Sequence, residues 1–408
     1  MRKKLLFALI LGIITMNGVT AQTTIIAEGT CGVLSWELTS DSVLTISGNG
    51  EMRDYTIFSI ASCFSYRDFI KTVVIENGVT SIGDFAFPIH PNLTSVIIPE
   101  GVTRIGEFAF FECRNLIFAT IPNGVKTIGS NAFARSGLTS VDIPESVTSI
   151  GSSVFWDCRN LVSIDVNPNN LYYISENGVL FDKAKTRLIQ HPPANTNTTF
   201  VIPSSVITIE ANAFERASNL TSVTIGNNVE TIGNSAFRDC TGLISVIIPN
   251  SVTSIGWSAF ENCSSLTSVI IGNGLTEIGY WAFADNHALT SVTIGNSVKT
   301  IGRGAFQNAG LTTLTIPNSV TTINEMAFWG CDDLVSVIIG SGVERIERMA
   351  FASNSLTYVT SYALIPPAPT DPIGEFDWIF SNPFEMYLFV PEQSFNLTYT
   401  HLFGAILE

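Results

Sequence analysis

From residue 70 to residue 360 the apolar positions recur in one fixed order. A valine opens each unit; an isoleucine follows three residues later, then an Ala-Phe pair, then a leucine, then an alternating Val-x-Ile. The stretch "VTSIGWSAFENCSSLTSVIIGNG" (252–274) is followed at once by "LTEIGYWAFADNHALTSVTIGNS". The openers are Val79, Val102, Val125, Val147, Val206, Val229, Val252, Leu275, Val298, Val320 and Val343. They are spaced by 23 or 22 residues, with one gap of 59 between Val147 and Val206. Within a unit, "VTSI" and "LTSVII" alternate apolar and polar side chains, which predicts two short strands. The eight residues between them ("GWSAFENC") are too few for a full helix and predict a helical or 3₁₀ turn. The two 22-residue units lose one residue just before Gly137-Leu138 and Gly310-Leu311, in a turn, where a deletion costs least. The glycine after the isoleucine is replaced by Glu210, Asn324 and Glu347, so that column favours a tight bend without demanding a left-handed one.

One such unit cannot persist alone, because its few apolar side chains do not offset the entropy of ordering its backbone. Stacking supplies the remainder: each rung covers its neighbour's apolar face, and strands pair in parallel about 4.8 Å apart. Twelve or thirteen rungs then make a repeat solenoid, a rod or horseshoe roughly 60 Å long by that spacing. Such a stack needs closed ends. Leu34–Leu38, a Ser40-Asp41-Ser42 turn and Val43–Ile46 predict a β-hairpin cap within residues 22–69. At the far end Pro366, Pro367, Pro369 and Pro372 stop the repeat, and 361–408 form a closing segment with one more extended piece at Tyr387–Val390. The long gap holds an excursion at about 168–199, with strands either side of an Asn177-Gly178 turn. It is expected to protrude and to display Lys183, Lys185 and Arg187.

The motif "IPxxVTSIGxxAFxxCxxLTSVxI" resembles the BspA-like leucine-rich repeat proteins, secreted bacterial surface proteins. The likeness spans about residues 70–360, and the flanks at 29–55 and 364–395 resemble that family's end segments. The resemblance implies a leucine-rich-repeat solenoid with short parallel strands and β-rich caps, no enzymatic activity, and adhesion to host matrix proteins or other microbes.

Charge and chemistry then narrow the picture. Arg2, Lys3 and Lys4, the apolar run Leu5–Met16 and the small-residue end Val19-Thr20-Ala21 read as a secretory signal peptide, residues 1–21. Removing its three basic residues takes the net charge from −15 to −18. That field disfavours nucleic acid and anionic membrane surfaces as partners, and no later stretch is apolar enough to insert in a membrane. Extracellular proteins or glycans are the partners left, at the bacterial surface or in the secreted fraction. Five of the seven cysteines share one column (Cys113, Cys158, Cys240, Cys263, Cys331) and alternate there with Ala and Ser, which predicts small buried thiols. Cys31 and Cys63 in the cap are the candidate disulfide of an exported chain. No CxxC pair is present, and His90, His191, His287 and His401 lie far apart and read as surface or turn residues, so no metal, cofactor or catalytic site is expected. Two surface features remain as candidate binding residues. The outward slots of "LTSVxI" form a long Thr/Ser-rich face into which Ile244, Ile247 and Ile270 bring apolar groups. Trp257, Tyr280 and Trp281 fall in the slots after the glycine column, and Trp156 and Trp329 follow the Ala-Phe phenylalanine. These aromatics are either partly buried between turns or exposed anchors for a protein, a glycan or a mucin.

Overall fold

The computed structural model describes residues 23–59, 61–352 and 355–363 and the strands Tyr387–Phe389 and Ile406–Leu407. The expected signal peptide and most of the closing segment lie outside the described residues. The chain is a parallel-strand β-solenoid of about 13 turns. Each turn contributes a strand to a first ladder, from Thr72–Ile75 to Tyr358–Ser361, and a shorter one to a second ladder, from Val79–Ile82 to Arg345–Ile346. Register is strict: Ser268 sits opposite Ser245 and Ser291, Val269 opposite Val246 and Val292. The alternation expected for these strands is what the structure shows. In Ser268–Ile271 the valine and the second isoleucine are buried and Ile270 is exposed, because one face of each strand meets the next rung's interior.

The interior is a column of phenylalanines. Phe237, Phe260, Phe283, Phe306, Phe328 and Phe351 are fully buried, with successive ring centroids 4.8–5.4 Å apart and planes within 8°. Thiols finish the rung. Cys263 Sγ donates to the carbonyl of Phe237 (3.1 Å), and Cys113, Cys158, Cys240 and Cys331 make the same bond to the phenylalanine of the rung before. Asn286 fills the slot with Nδ2 bonded to the Phe260 carbonyl at 2.9 Å. A weak donor is enough to satisfy a buried carbonyl, so the cysteine column is the structural feature the sequence suggested.

The segment between the strands is not a helical turn. Left-handed residues recur in it twice per rung, as at Ser258 (φ 54°) and Asn262 (φ 55°). Alternation of hand turns successive N–H groups outward to the next rung. Ser258, Phe260 and Asn262 donate to the carbonyls of Tyr280, Ala282 and Ala284. Bonds between rungs replace the bonds within a turn that a helix would need. The glycine column itself is not left-handed, as its substitutions implied; its reason is close approach, since a Cβ on Gly256 would lie 2.4 Å from the Asn234 amide nitrogen.

The N-terminal cap is larger than expected. Ile25–Cys31 adds a third strand, antiparallel to Leu34–Thr39, which pairs antiparallel with Val43–Ser47; that last strand runs parallel to Thr72–Ile75 and starts the stack. A 3₁₀ helix, Ser62–Tyr66, packs beside it, and Ser62 Oγ accepts the Trp36 indole N–H.

The excursion does not protrude. Tyr173–Glu176, Val179–Asp182 and Arg187–Gln190 are antiparallel neighbours, and the last pairs in parallel with Thr208–Ile209 of the second ladder. Val179, Leu180, Phe181 and Leu188 are buried, so the segment acts as a rebuilt rung joining two halves of the core. Its basic residues are engaged: Lys183 donates to the Asn170 carbonyl, Lys185 pairs with Glu176 and Arg187 with Glu210. Nor are two of the histidines on the surface. His90 and His191 are 0% and 1% exposed. His191 takes the phenylalanine's place in the rebuilt rung, its ring 4.9 Å from that of Phe214, and its amide donates to Ala213 as a phenylalanine's does to the alanine of the next rung.

Candidate binding surfaces

The 22-residue units mark where the first ladder breaks. Its pairing stops between Phe118–Ala119 and Ser140–Ile143, and again between Ser291–Thr293 and Thr313–Ile316, and it is also interrupted at the rebuilt rung. A residue deleted in a turn therefore does have a cost: the next strand no longer pairs in the ladder. At the second break a groove of about 1140 Å³ opens, floored by Thr293, Thr315 and Asn318 and ending at Tyr362. A shallower one of about 460 Å³ lies by Ser222, Thr224, Ile247 and Asn250. Both sit where threonine, between taller β-branched residues, occupies the outward slot: Thr293 and Thr315 between Ile270 and Ile338, Thr224 between Val201 and Ile247.

Eight consecutive first-ladder strands, from Thr199–Val201 to Tyr358–Ser361, carry no charged residue. Their hydroxyls divide into two kinds. The threonines just ahead of three of these strands are committed to the fold: Thr221, Thr267 and Thr290 donate to the carbonyl of the residue one rung back. Ser222, Ser245, Ser268 and Ser291 have no such partner among the described residues, which leaves a column of free hydroxyls. Beside it Ile247 and Ile270 are register partners, and with Ile244 they form an exposed patch, 51–62% accessible at Ile244 and Ile247.

The candidate aromatics do not form one site. Trp257, Tyr280 and Trp281 are together, beyond the second ladder on another side of the rung. Trp257 and Tyr280 stack at 5.9 Å, and Trp281 meets Tyr280 edge-on at 6.5 Å. Trp156 is half-buried and structural. Its indole N–H donates to Glu215 across the rebuilt rung, and Arg135 lies over its ring at 4.7 Å. Trp329 stands apart from both groups, 36% exposed. The junction at Trp156 is a polar cluster with no sequence signal, since it joins residues 59 positions apart. Asp157 there pairs with Arg159 and Arg216 at 2.9 and 2.8 Å, and burial pushes the Glu215 carboxyl up to about 7.

The cysteines offer no reactive site. All seven are buried and outside any disulfide, Cys31 and Cys63 included, so the candidate cap disulfide is not formed in this structure. Burial pushes Cys63, Cys113, Cys263 and Cys331 up to about 12, far from the thiolate form. Among the described residues, no cluster of three His, Cys, Asp or Glu side chains could hold a metal ion, and no helix is long and apolar enough to cross a membrane.

Comparison with known proteins gives these surfaces their setting. The family model for the BspA type leucine rich repeat region matches residues 59–185, 194–311 and 299–363, in six copies. A crystal structure of a leucine-rich repeat protein from Eubacterium ventriosum is 32% identical, with a TM-score of 0.72 over 79% of this chain and 94% of that one. A leucine-rich repeat protein from Bacteroides ovatus, 21% identical, shares the fold with a TM-score of 0.53 over 92% of this chain and all of that one. No curated protein matches the chain significantly. With the matched repeats covering most of its length and the rungs stacked as that repeat requires, the chain belongs to the BspA-type leucine-rich repeat family.

Proposed function

We propose that the chain is an adhesive protein of the bacterial surface, exported by the leader at residues 1–21, that binds extracellular proteins along the first ladder. The observation that carries this reading is the run of eight strands without a charge, in a chain whose formal net charge is −15. An acidic protein that merely needed solubility would spread its charge over every exposed face. Here eight successive strands are cleared of charge, and the cleared face carries free serine hydroxyls, an exposed isoleucine patch and two grooves. Family membership supports protein binding as the role. Affinity would come from many shallow contacts with an extended partner, not from one deep pocket, and no step of chemistry is assigned to any residue.

The test is a binding screen of the leaderless chain against fibrous extracellular matrix proteins, mucins and neighbouring bacterial cells. A partner should be found whose affinity changes little between low and high salt, because no ion pair on this face is available for screening. Ile247→Asp, which puts a charge in the patch without touching the core, should abolish the binding. Failure to bind any of these, or full binding by Ile247→Asp, would refute the reading.

A further inference from the structure

We propose that Trp257, Tyr280 and Trp281 form a second binding site, a platform for a neutral pyranose glycan, separate from the first-ladder face. Three observations converge on it. First, the aromatics form the end of a stack. Tyr280 covers one side of the Trp257 indole; on the other side the residue one rung back is Asn234, whose short side chain turns its Oδ1 to accept the Trp257 amide N–H (2.9 Å) and cannot cover the ring. Trp257 is accordingly 60% exposed, against 38% for Tyr280 and Trp281. Second, the backbone makes room for these side chains. Trp281 takes the left-handed slot that recurs along the stack (φ 51°), and its indole lies over Gly304, where a Cβ would come within 2.5 Å of it. Third, the second ladder is open at this step. Ser254–Ile255 and Glu277–Ile278 are not paired, and apart from the rebuilt rung this is the one interruption of that ladder among the described residues. A large exposed aromatic surface, a glycine beneath an indole and a broken ladder together mark a place where the repeat departs from its own rule, and such departures collect at functional positions.

The chemistry selects the ligand. An open indole face attracts the apolar C–H face of a pyranose ring. At its foot stand uncharged polar groups, the Asn234 side chain and the serines of the next column, Ser235 and Ser258, the backbone N–H of Ser235 bonding to Trp257 and that of Ser258 to Tyr280. These match the hydroxyl rim of a sugar. An acidic glycan is disfavoured by the negative field of the chain. The site does not depend on the first-ladder reading, since it lies on another side of the rung.

The test is native gel electrophoresis of the leaderless chain through gels containing a soluble neutral β-glucan, a xylan, a galactomannan or an α-glucan. At least one polysaccharide should retard the wild-type chain. Trp257→Ala should weaken that retardation by about tenfold or more, the scale expected for loss of a central aromatic anchor. Ile247→Asp should leave it unchanged. Circular dichroism of Trp257→Ala should match the wild type, because an exposed side chain is removed. No retardation by any polysaccharide overturns the proposal, as does retardation that survives Trp257→Ala. So does a Trp257→Ala variant that loses a protein partner while no glycan binds, which would make the patch a protein-binding site. Loss of protein binding in Ile247→Asp with retardation intact leaves both sites standing; full protein binding by Ile247→Asp with retardation lost in Trp257→Ala overturns the first-ladder reading alone, and the converse overturns this proposal alone.

Discussion

His191 stands where eleven other rungs place a phenylalanine, and replacing it should make the rod both more stable and less acid-sensitive. Its ring is 1% exposed, and neither nitrogen has a hydrogen-bond partner among the described residues. An unpaired buried polar group costs about 1–3 kcal/mol. Burial also lowers the imidazole to about 4 from its ordinary 6.5, the neighbouring Pro192 backbone offsetting only part of the effect. The sign follows directly. The folded state binds fewer protons than the unfolded one between these values, so the stability is intact above pH 6.5 and is lost as pH falls towards 4, by about 3 kcal/mol at most. Space for the change exists, because the imidazole already lies 4.9 Å from Phe214 and 5.3 Å from Phe200, spacings typical of the phenylalanine column. His191→Phe should therefore raise the urea midpoint at pH 8, by about 1–3 kcal/mol of stability, and flatten the fall between pH 7 and pH 4.5. The wild-type fall should not vanish in the variant, since His90, also lowered by burial to about 4, retains its own share. The assay is circular dichroism in urea at pH 8, 6.5, 5.5 and 4.5. A variant no more stable at pH 8, with an acid limb parallel to the wild type's, would show that the buried imidazole is neither unpaired nor held neutral.

Other outcomes can be checked on the same material. Phe260→Ala, which empties the middle of the ring column between Phe237 and Phe283, should cost about 3–5 kcal/mol and lower the melting temperature without changing the outer face. Glu215→Gln should remove a pH effect of opposite sign: the carboxyl, raised to about 7 from 4.5, contributes stability that is complete below pH 4.5 and lost as pH rises through 7, so the variant should hold its midpoint between pH 4.5 and 7, where the wild type declines. The seven buried thiols should stay unreactive towards a thiol-modifying reagent at pH 8 until denaturant is added; rapid native labelling of any column cysteine would contradict its burial.

The stack could be read from the chain because a repeat of 22–23 residues states its own neighbours. Once Val252, Ile255, Phe260, Leu266 and Val269 must face one interior, and each is copied one rung later, strand pairing, register and buried thiols follow. The candidate surfaces were legible only in part. Ile244, Ile247 and Ile270 are outward by alternation alone, and the structure leaves them exposed with Ile247 and Ile270 in register. The aromatics could not be sorted by the same means. Trp156 and Trp257 each follow a conserved turn position in the repeat, yet one is pinned by Glu215 and Arg135 and the other is open. What separates them is the neighbour across the rung boundary, which for Trp156 lies 59 residues away.

The sequence by itself determined the periodicity, the inward set of side chains and the removal of charge from one face, because each follows from one residue's place in a unit. Tertiary structure decided what depends on two units meeting. It turned the expected helical turns into alternating left-handed bends bonded between rungs, drew the excursion into the core with His191 as its ring, and opened the ladders beside the short rungs and at Trp257. The physical reason is the same in each case. A hydrogen bond, a stacked ring or a gap between layers belongs to a pair of rungs, and the pattern within one rung carries no record of how closely the next will approach.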